Sequence, residues 1–403
     1  MYKLIKRKLQ GLNRDFGVFS KKVSEFNLTR NTEHKFKNIL KEAMKGLGYD
    51  SVKVDPAGNI IGKVSGLGKG EDLILISHTN FPDKESSFSG TGQQLINSRA
   101  GIISSIYTGG LIKSAMIPMN GDLIVCCVPR GECSDFGIKY LFDNYPKRSL
   151  KRIKGILLCE PTNFNLCLGH KGRIEYEIIV KGKFGNYFLE NKGINILGTM
   201  FPLINELEKV SKNLPSDCAL GNSTLKIKDV SYSGYNPAEA FNEFKVVVDR
   251  SFVPEENAKK ILNKAKTIAK NLYQGQVSVN INTAIAKEKI KTDSGFEVIS
   301  RKEFMPWRIE SNNPFVINSL ESLKVGKLNS AIGYWKDIVT EGSYTFGQLG
   351  IPTIGFGAGC ETLLKDKQVS LSMAELEKAV YGQTLIAYRN IGMPAFGWNL
   401  DEI

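Results

Sequence analysis

The chain has 403 residues, of which 42% are hydrophobic and 24% charged, and its formal net charge is +13. A chain of this length is long enough for two domains, because single cores stop growing at about 250–300 residues. No stretch reaches the ~20 apolar residues of a membrane span, and the basic N-terminus lacks the apolar run of a signal peptide. We therefore expect a cytoplasmic protein without a membrane partner.

The positive charge is concentrated in clusters, of which Lys3–Lys8 and Lys147–Lys154 are the clearest. Nucleic-acid recognition needs a basic face together with a recognisable binding module, and the sequence contains no such module. The clusters therefore indicate solvated lysine-rich surface, and nucleic acid is not an expected partner. The excess charge still favours acidic partners or small anionic ligands.

Cysteine usage gives no sign of disulfides or of a cysteine zinc site. The count is odd and there is no C-x-x-C pair. Most of these residues lie in apolar, strand-like runs, where a free thiol behaves as a small buried hydrophobe. The seven cysteines are at positions 126, 127, 133, 159, 167, 218 and 360.

The first part of the chain alternates predicted strands and helices. A helical pattern covers residues 18–47 and ends at Gly46-Leu47-Gly48. The elements that follow are strands at 52–54, 59–64 and 73–77, a helix at 100–115, a strand at 122–128, a helix at 134–144 and a strand at 155–159. This alternation predicts an α/β fold with a mainly parallel sheet covered on both faces.

The pattern changes after residue 171. Residues 172–183 alternate apolar and polar side chains, as in a half-exposed strand. They are followed by a helix at 193–214, strands at 223–233 and 240–250, a helix at 254–272 and a strand at 276–284. The order β-α-β-β-α-β predicts a compact α+β unit, residues 178–293, inserted into a discontinuous domain of residues 1–177 and 294–403. That domain resumes with a helix at 314–323, a strand at 351–359 and a helix at 372–390.

Three predicted strands end in polar or glycine-rich segments. These are Ile74–Asn80, Leu157–Thr162 and Pro352–Gly359. Open α/β sheets place their sites at the carboxyl ends of such strands. In the last segment, Gly357 and Gly359 indicate a tight backbone turn, since a glycine loop alone is weak evidence for phosphate binding.

These strand ends, with the segments Gly169–Arg173, Val248–Arg250 and Thr340–Gly342, resemble the dizinc amidohydrolase and peptidase family of aminoacylase, acetylornithine deacetylase and carboxypeptidase G. The strongest likeness is to its branch of selenium-metabolism-linked hydrolases. The resemblance implies that the inserted unit is a lid and dimerisation domain, and that the chain forms a homodimer through it. It also implies two Zn²⁺ or Co²⁺ ions, bridged by a carboxylate and a water, which polarise an amide carbonyl and generate hydroxide.

The first half of the family's ligand set is poorly matched. The resemblance places the first ligand pair at His78 and Asn80, and the bridging aspartate at Asn97. The catalytic glutamate and the neighbouring ligand fall on Arg130 and Gly131. The histidine survives, while the carboxylates are replaced by amides, a cation and a glycine.

The second half of the set keeps one carboxylate. Glu160 matches a ligand, the lid histidine falls on Asn186 and the final histidine falls on Lys365. The chain contains histidine only at positions 34, 78 and 170. Two of five ligands therefore remain, which implies a vestigial site at His78 and Glu160 and no bound metal.

The substitutions predict a cleft that binds an anion in place of metal. Arg99, Arg130 and Lys365 lie at or beside former ligand positions, and Arg250 belongs to a lid segment of the resemblance. A buried carboxylate needs a partner, so we expect Arg130 or Lys365 within salt-bridge distance of Glu160. The remaining positive charge would favour a small carboxylate or phosphate ligand.

Two functions stay open at this point. The leading hypothesis is a pseudoenzyme that acts as a binding, scaffold or regulatory subunit, as a homodimer or with an active paralogue or another enzyme subunit. The alternative is a hydrolase or deacylase that acts on a small amide-containing metabolite. Its rebuilt site would use His78, Glu132 and Glu160, with Cys133 as a candidate nucleophile. For His78 itself, the competing interpretation is a hydrogen-bonded structural residue.

Overall fold

The computed structural model describes residues 2–11, 13–79, 92–129, 135–182, 196–233, 242–274, 279–361 and 371–393, with the backbone alone at 2, 13–14, 30, 92–98, 196–199, 233 and 242. Two compact units share the chain. The first comprises Met1–His170, Ile290–Val298 and Trp307–Ile403, and the second comprises Lys171–Lys289 and Ile299–Pro306. No described helix is long and apolar enough to cross a membrane. The cytoplasmic location stays a prediction.

Outside residues 18–47, the predicted helices and strands occur in the predicted order, and the structure adds further elements between them. The helices are α1 (Tyr2–Gly11), α2 (Asn13–Ser24), α3 (Glu33–Gly46), α4 (Gly92–Ser114), α5 (Phe136–Asp143), α6 (Lys147–Leu150), α7 (Ile196–Ser211), α8 (Ala258–Leu272), α9 (Pro314–Val325), α10 (Gly342–Thr345) and α11 (Met373–Ile391). The strands are β1 (Ser51–Val54), β2 (Ile60–Val64), β3 (Asp72–Thr79), β4 (Leu123–Pro129), β5 (Ile153–Leu158), β6 (Leu166–His170), β7 (Gly172–Gly182), β8 (Ser216–Asp217), β9 (Gly221–Asn222), β10 (Leu225–Ser233), β11 (Asn242–Phe252), β12 (Asn280–Ile285), β13 (Lys287–Lys291), β14 (Glu297–Arg301), β15 (Glu303–Phe304), β16 (Trp307–Arg308), β17 (Ile332–Trp335) and β18 (Thr353–Gly355).

The first unit is built on a sheet with the order β1-β2-β4-β3-β5-β18-β6-β16, and β17 also pairs with β6. Its centre, β4-β3-β5-β18, is parallel, and antiparallel strands extend it on both sides. Every residue of β3 and β4 is buried, as expected for central strands of a sheet covered on both faces. The predicted α/β fold with a mainly parallel sheet is confirmed.

The prediction of one helix over residues 18–47 is wrong. Helix α2 ends at Ser24 and α3 begins at Glu33. Between them, the Thr29 N–H donates to Thr32 Oγ1 at 2.8 Å, and the Thr32 hydroxyl donates to the carbonyl oxygen of Asn27 at 2.9 Å. Threonine hydroxyls that bond nearby backbone groups compete with helical hydrogen bonds, so the chain turns here although its apolar spacing continues.

The second unit is an antiparallel sheet with the order β10-β11-β7-β12, and β15 also pairs with β7. Along β7, Ile174, Tyr176, Ile178 and Val180 are buried while the alternate side chains are half-buried or exposed, which confirms the predicted alternation. With α7 and α8, the order is the predicted β-α-β-β-α-β. The predicted boundary at residue 178 lies within β7, and residue 294 lies in the turn between β13 and β14.

Candidate functional site

Three ionisable side chains of the first unit meet at the carboxyl ends of the parallel strands. His78 is near the end of β3, Glu160 follows β5, and Glu341 directly precedes α10. The Nδ1 atom of His78 lies 2.7 Å from Oε1 of Glu160 and 3.8 Å from Oε1 of Glu341. All three side chains are at most 5% exposed. Within the described residues, this is the one group of three or more such side chains whose ligand atoms all lie within 4.8 Å of one another.

Strand pairing brings His78 and Glu160 together. Strands β3 and β5 are parallel neighbours, with Ile76 opposite Leu158, so the residues after these positions emerge at the same edge of the sheet. The glycine loop after β18 packs against the end of β5: a Cβ atom at Gly357 would lie 2.5 Å from the carbonyl oxygen of Glu160. Gly357 is therefore required for this close approach, while the φ of +80° at Gly359 agrees with the tight backbone turn predicted for the loop.

Glu341 is held in place through the residues on either side of it. The N–H of Thr340 donates to Nε2 of the fully buried His170 at 2.9 Å. On the other side, a Cβ atom at Gly342 would lie 2.3 Å from the ring of Trp307. The segment that leads to Glu341 is also anchored a few residues before it. There the carboxylate of Glu361 accepts hydrogen bonds from the backbone N–H groups of residues 336, 337 and 338. These contacts give the Glu341 carboxylate a defined position beside His78.

The donor set of this group matches a metal site with one ion. Imidazole nitrogen and carboxylate oxygen are ordinary zinc ligands, and a catalytic zinc ion has about three protein ligands. One His and two Glu side chains meet that requirement for one ion. They do not match the family's two-ion centre, which shares five ligands and needs a bridging carboxylate.

The structure does not describe the side chains at the other positions where the resemblance expects metal ligands and the catalytic base. Asn97 lies on α4 where only the backbone is described. The others lie outside the described residues: Asn80, Arg130, Gly131, Glu132, Cys133, Asn186 and Lys365. The expected salt bridge from Arg130 or Lys365 to Glu160 therefore stays a prediction, and so does the expected absence of metal. Among the described residues, the side chain of His78 lies beside Glu160, and it is a cation only when its imidazole is protonated.

The two other arginines of the predicted anion cleft have structural contacts. The buried guanidinium of Arg99 donates to the carbonyl oxygens of Val23 and, at 3.1 Å, Ser24, and so caps the end of α2. Its burial lowers the pKa of Arg99 to about 10. In the second unit, Arg250 pairs with Glu256 at 2.5 Å. The structure thus explains both residues without a ligand, and their place in an anion cleft stays a prediction.

The described cysteines near the strand ends are unsuited to nucleophilic catalysis. Burial raises the pKa of Cys127 to about 12 and the pKa of Cys159 well above its ordinary value. The thiolate is the reactive form, so these two thiols are inert at neutral pH. Cys159 precedes Glu160 in sequence, but its role is packing.

Sequence reasoning missed Glu341 as a member of the site. The segment Thr340–Gly342 contributes to the family resemblance, but it carries no ligand role there. The signal in the sequence was an acidic residue in a segment without charged neighbours on either side, Val339-Thr340-Glu341-Gly342-Ser343. A carboxylate in such a segment is a candidate for burial with a partner.

The comparisons with known proteins agree with this architecture. No family model matches the chain. It is 23% identical over 380 residues to the uncharacterized protein YgeY of Escherichia coli K12, across 89% of this chain and 90% of YgeY. Among solved structures it is similar to aminopeptidase PepT of Bacillus cereus, with a TM-score of 0.67 and 14% identity over 93% of this chain and 97% of PepT.

A second solved structure is YxeP of Bacillus subtilis, described as a dinuclear metal-binding peptidase of the M20 family. It matches with a TM-score of 0.65 and 11% identity over 94% of this chain and 98% of YxeP. The fold is that of the M20 peptidases. At these identities the likeness establishes the fold alone, and the chemistry of the site has to be argued from its own residues.

Proposed function

We propose that this chain is a homologue of the dinuclear metallopeptidases that has lost two-metal hydrolysis and acts as a binding, scaffold or regulatory subunit. The observation that carries the proposal is the absence of histidine after His170. The family's final ligand is a histidine that follows the glycine loop. Its loss does not depend on the details of an alignment, because no histidine is available anywhere in that half of the chain.

The charges at the other family positions support the same conclusion. A bridging carboxylate holds two dications together, and the amide of Asn97 carries no charge with which to do this. Arg130 and Lys365 would bring positive charge where the family has a glutamate and a histidine. A fixed cation at close range repels a divalent ion, so these substitutions disfavour the second metal as well as removing its ligands.

The experiment combines metal analysis with a test of amide hydrolysis. Purified full-length protein is analysed for bound metal and assayed on a panel of dipeptides and N-acyl amino acids with added Zn²⁺, Co²⁺ or Mn²⁺. We expect fewer than two ions per chain and no turnover above that of the His78→Ala variant. Arg130→Glu alone should not restore turnover, because the final histidine and the bridging carboxylate are still absent. Two ions per chain together with turnover that Glu160→Gln abolishes would refute the proposal.

The second candidate, a hydrolase or deacylase acting on a small amide-containing metabolite, is favoured by the group of His78, Glu160 and Glu341. A catalytic zinc site needs about three protein ligands and an open position for water or substrate. Turnover that requires a single equivalent of metal and is lost in Glu341→Gln would support this function over the binding role. The same substrate panel therefore separates the two candidates.

A further inference from the structure

We infer that His78, Glu160 and Glu341 bind one divalent cation, with Glu341 as the third ligand in place of the bridging carboxylate that is missing at position 97. The inference rests on the proposed loss of the two-metal centre and deepens it. It assigns to this chain a one-ion site of its own, whose ligand set includes a residue without a ligand role in the resemblance, and it replaces the metal-free cleft that the sequence alone predicts.

The candidate donor atoms lie close to one another. They belong to three separate elements, and all lie within 4.8 Å of one another. Ligand atoms bound at about 2.0–2.2 Å from one zinc ion lie within roughly twice that distance of each other, about 4.4 Å at most. In the structure, Nδ1 of His78 contacts Oε1 of Glu160 directly at 2.7 Å. Ligand atoms of a tetrahedral zinc ion are about 3.3–3.6 Å apart, so the ion would replace this contact and the two side chains would separate slightly to bind it.

The charge and chemical type of the donors select the kind of ion. Two carboxylates with a neutral imidazole carry two negative charges, which one divalent ion balances. Nitrogen and oxygen donors without thiolate suit Zn²⁺, Co²⁺ or Mn²⁺ and disfavour Cu⁺, which prefers sulfur. Since the three side chains are at most 5% exposed, the ion would be shielded by protein on the side of these ligands.

The surroundings of Glu341 provide the support that a metal ligand needs. Nε2 of His170 accepts the Thr340 N–H, so in that contact the imidazole nitrogen is unprotonated. Trp307 packs edge-on against the His170 ring, with centroids 5.6 Å apart, and also against Gly342. Outer residues that orient a ligand typically change metal affinity by about 10- to 100-fold when they are mutated. We therefore assign His170 as a positioning residue for Glu341.

Metal binding to the full-length protein tests the inference without any assay of activity. Chelator-treated protein is titrated with Zn²⁺ and with Co²⁺, and stoichiometry is read by calorimetry and native mass spectrometry. We expect one ion per chain, a Co²⁺ absorption spectrum, and a rise in unfolding temperature on addition of Zn²⁺. Glu341→Gln should weaken binding at least 10-fold and remove this rise, and His170→Gln should weaken it by about 10- to 100-fold.

The matched control is Glu321→Gln, which removes a half-exposed carboxylate that pairs with Arg389 on the surface. It should bind Zn²⁺ as wild type does. Unfolding of each variant in chelator verifies that the fold is retained. If the Glu341→Gln variant fails to fold, Glu341→Asp provides the second measurement: it keeps the charge but shortens the ligand, and should bind Zn²⁺ more weakly.

The outcomes distinguish this inference from the proposed function. No ion bound to wild type, or one ion bound equally well by Glu341→Gln, overturns the one-ion site and leaves the loss of hydrolysis intact. Two ions per chain with amide turnover overturn both. One ion that depends on Glu341 and not on Glu321 supports the inference.

Discussion

Glycines determine how closely the backbone elements approach the site. A Cβ atom at Gly101, in α4, would lie 2.0 Å from the carbonyl oxygen of Cys159. The corresponding distance at Gly357 is 2.5 Å, to the carbonyl oxygen of Glu160. In both places the neighbour is backbone at the end of β5, which cannot move aside without displacing Glu160. Helix α4 and the glycine loop are therefore packed on the strand end that presents the Glu160 carboxylate.

Gly101→Ala should destabilise the first unit by about 1–3 kcal/mol, the usual cost of overpacking, although alanine is the better helix former by ~1 kcal/mol. The matched control is Gly17→Ala in α2, where no atom lies within 4 Å of the added Cβ. That variant should be more stable by about 0.5–1 kcal/mol. Urea unfolding followed by tryptophan fluorescence reports on this unit, because Trp307 and Trp335 are buried in it. An unchanged or higher midpoint for Gly101→Ala would contradict the packing argument.

At the scale of single elements, β7 combines a buried face with a charged one. Glu175 accepts hydrogen bonds from Lys228 at 2.5 Å and Lys302 at 3.1 Å. Burial raises the pKa of the Glu175 carboxyl, but the hydrogen bonds and charges of the two lysines outweigh that effect and hold the pKa below its ordinary value. A lowered pKa in the folded state means that the ionised carboxylate stabilises the fold.

The stability of the second unit should therefore depend on pH through Glu175. The contribution is fully present above the unfolded-state pKa of 4.5 and is lost as the pH falls through the lower folded-state value. Glu175→Gln should cost about 1 kcal/mol at pH 7, since both lysines are partly exposed, and the cost should shrink as the solution is acidified below pH 4.5. Urea unfolding followed by circular dichroism measures this, with Glu206→Gln in an exposed α7 pair as the control. A cost that is equal at pH 7 and pH 3 would count against the assigned role.

At the scale of the whole molecule, the homodimer predicted from the sequence would form through the second unit. Among the described strands of its sheet, β10 pairs with β11 on one side and forms an edge, and the backbone groups of an edge strand can pair with a strand of another chain. The family resemblance gives the unit a role in dimerisation, and two-fold pairing is the commonest arrangement for such a surface. The homodimer remains a prediction from the sequence, to which this edge strand adds a physical reason.

Light scattering of the purified protein should give the mass of two chains at micromolar concentration, and hydrogen exchange of β10 amides should slow as concentration rises. A mass of one chain, 44.7 kDa, would contradict the homodimer. A complex with an active paralogue would instead appear after mixing, as a species with unequal subunits. Such a complex would be less favourable for catalysis. The resemblance expects at position 186 a lid histidine that acts in the other subunit, and Asn186 would not supply that histidine to an active paralogue.

The sequence by itself determined the α/β class, the inserted α+β unit and the two strand ends that carry His78 and Glu160. These features depend on local periodicity and on polar residues that directly follow apolar strands, and both are visible in a single chain. The sequence also determined that no histidine follows His170 in this chain, because residue identity needs no coordinates.

The tertiary structure alone decided that Glu341 joins His78 and Glu160. Apolar periodicity shows which face of an element is buried, but it does not show which distant loop meets which strand end. That meeting depends on the order of strands in the sheet and on contacts such as Thr340 with His170, which join residues far apart in sequence. The turn between α2 and α3 likewise became visible only in the structure, although the residues involved are close in sequence. The hydrogen bonds of Thr29 and Thr32 interrupt the helix there, whereas the apolar spacing alone predicts that it continues.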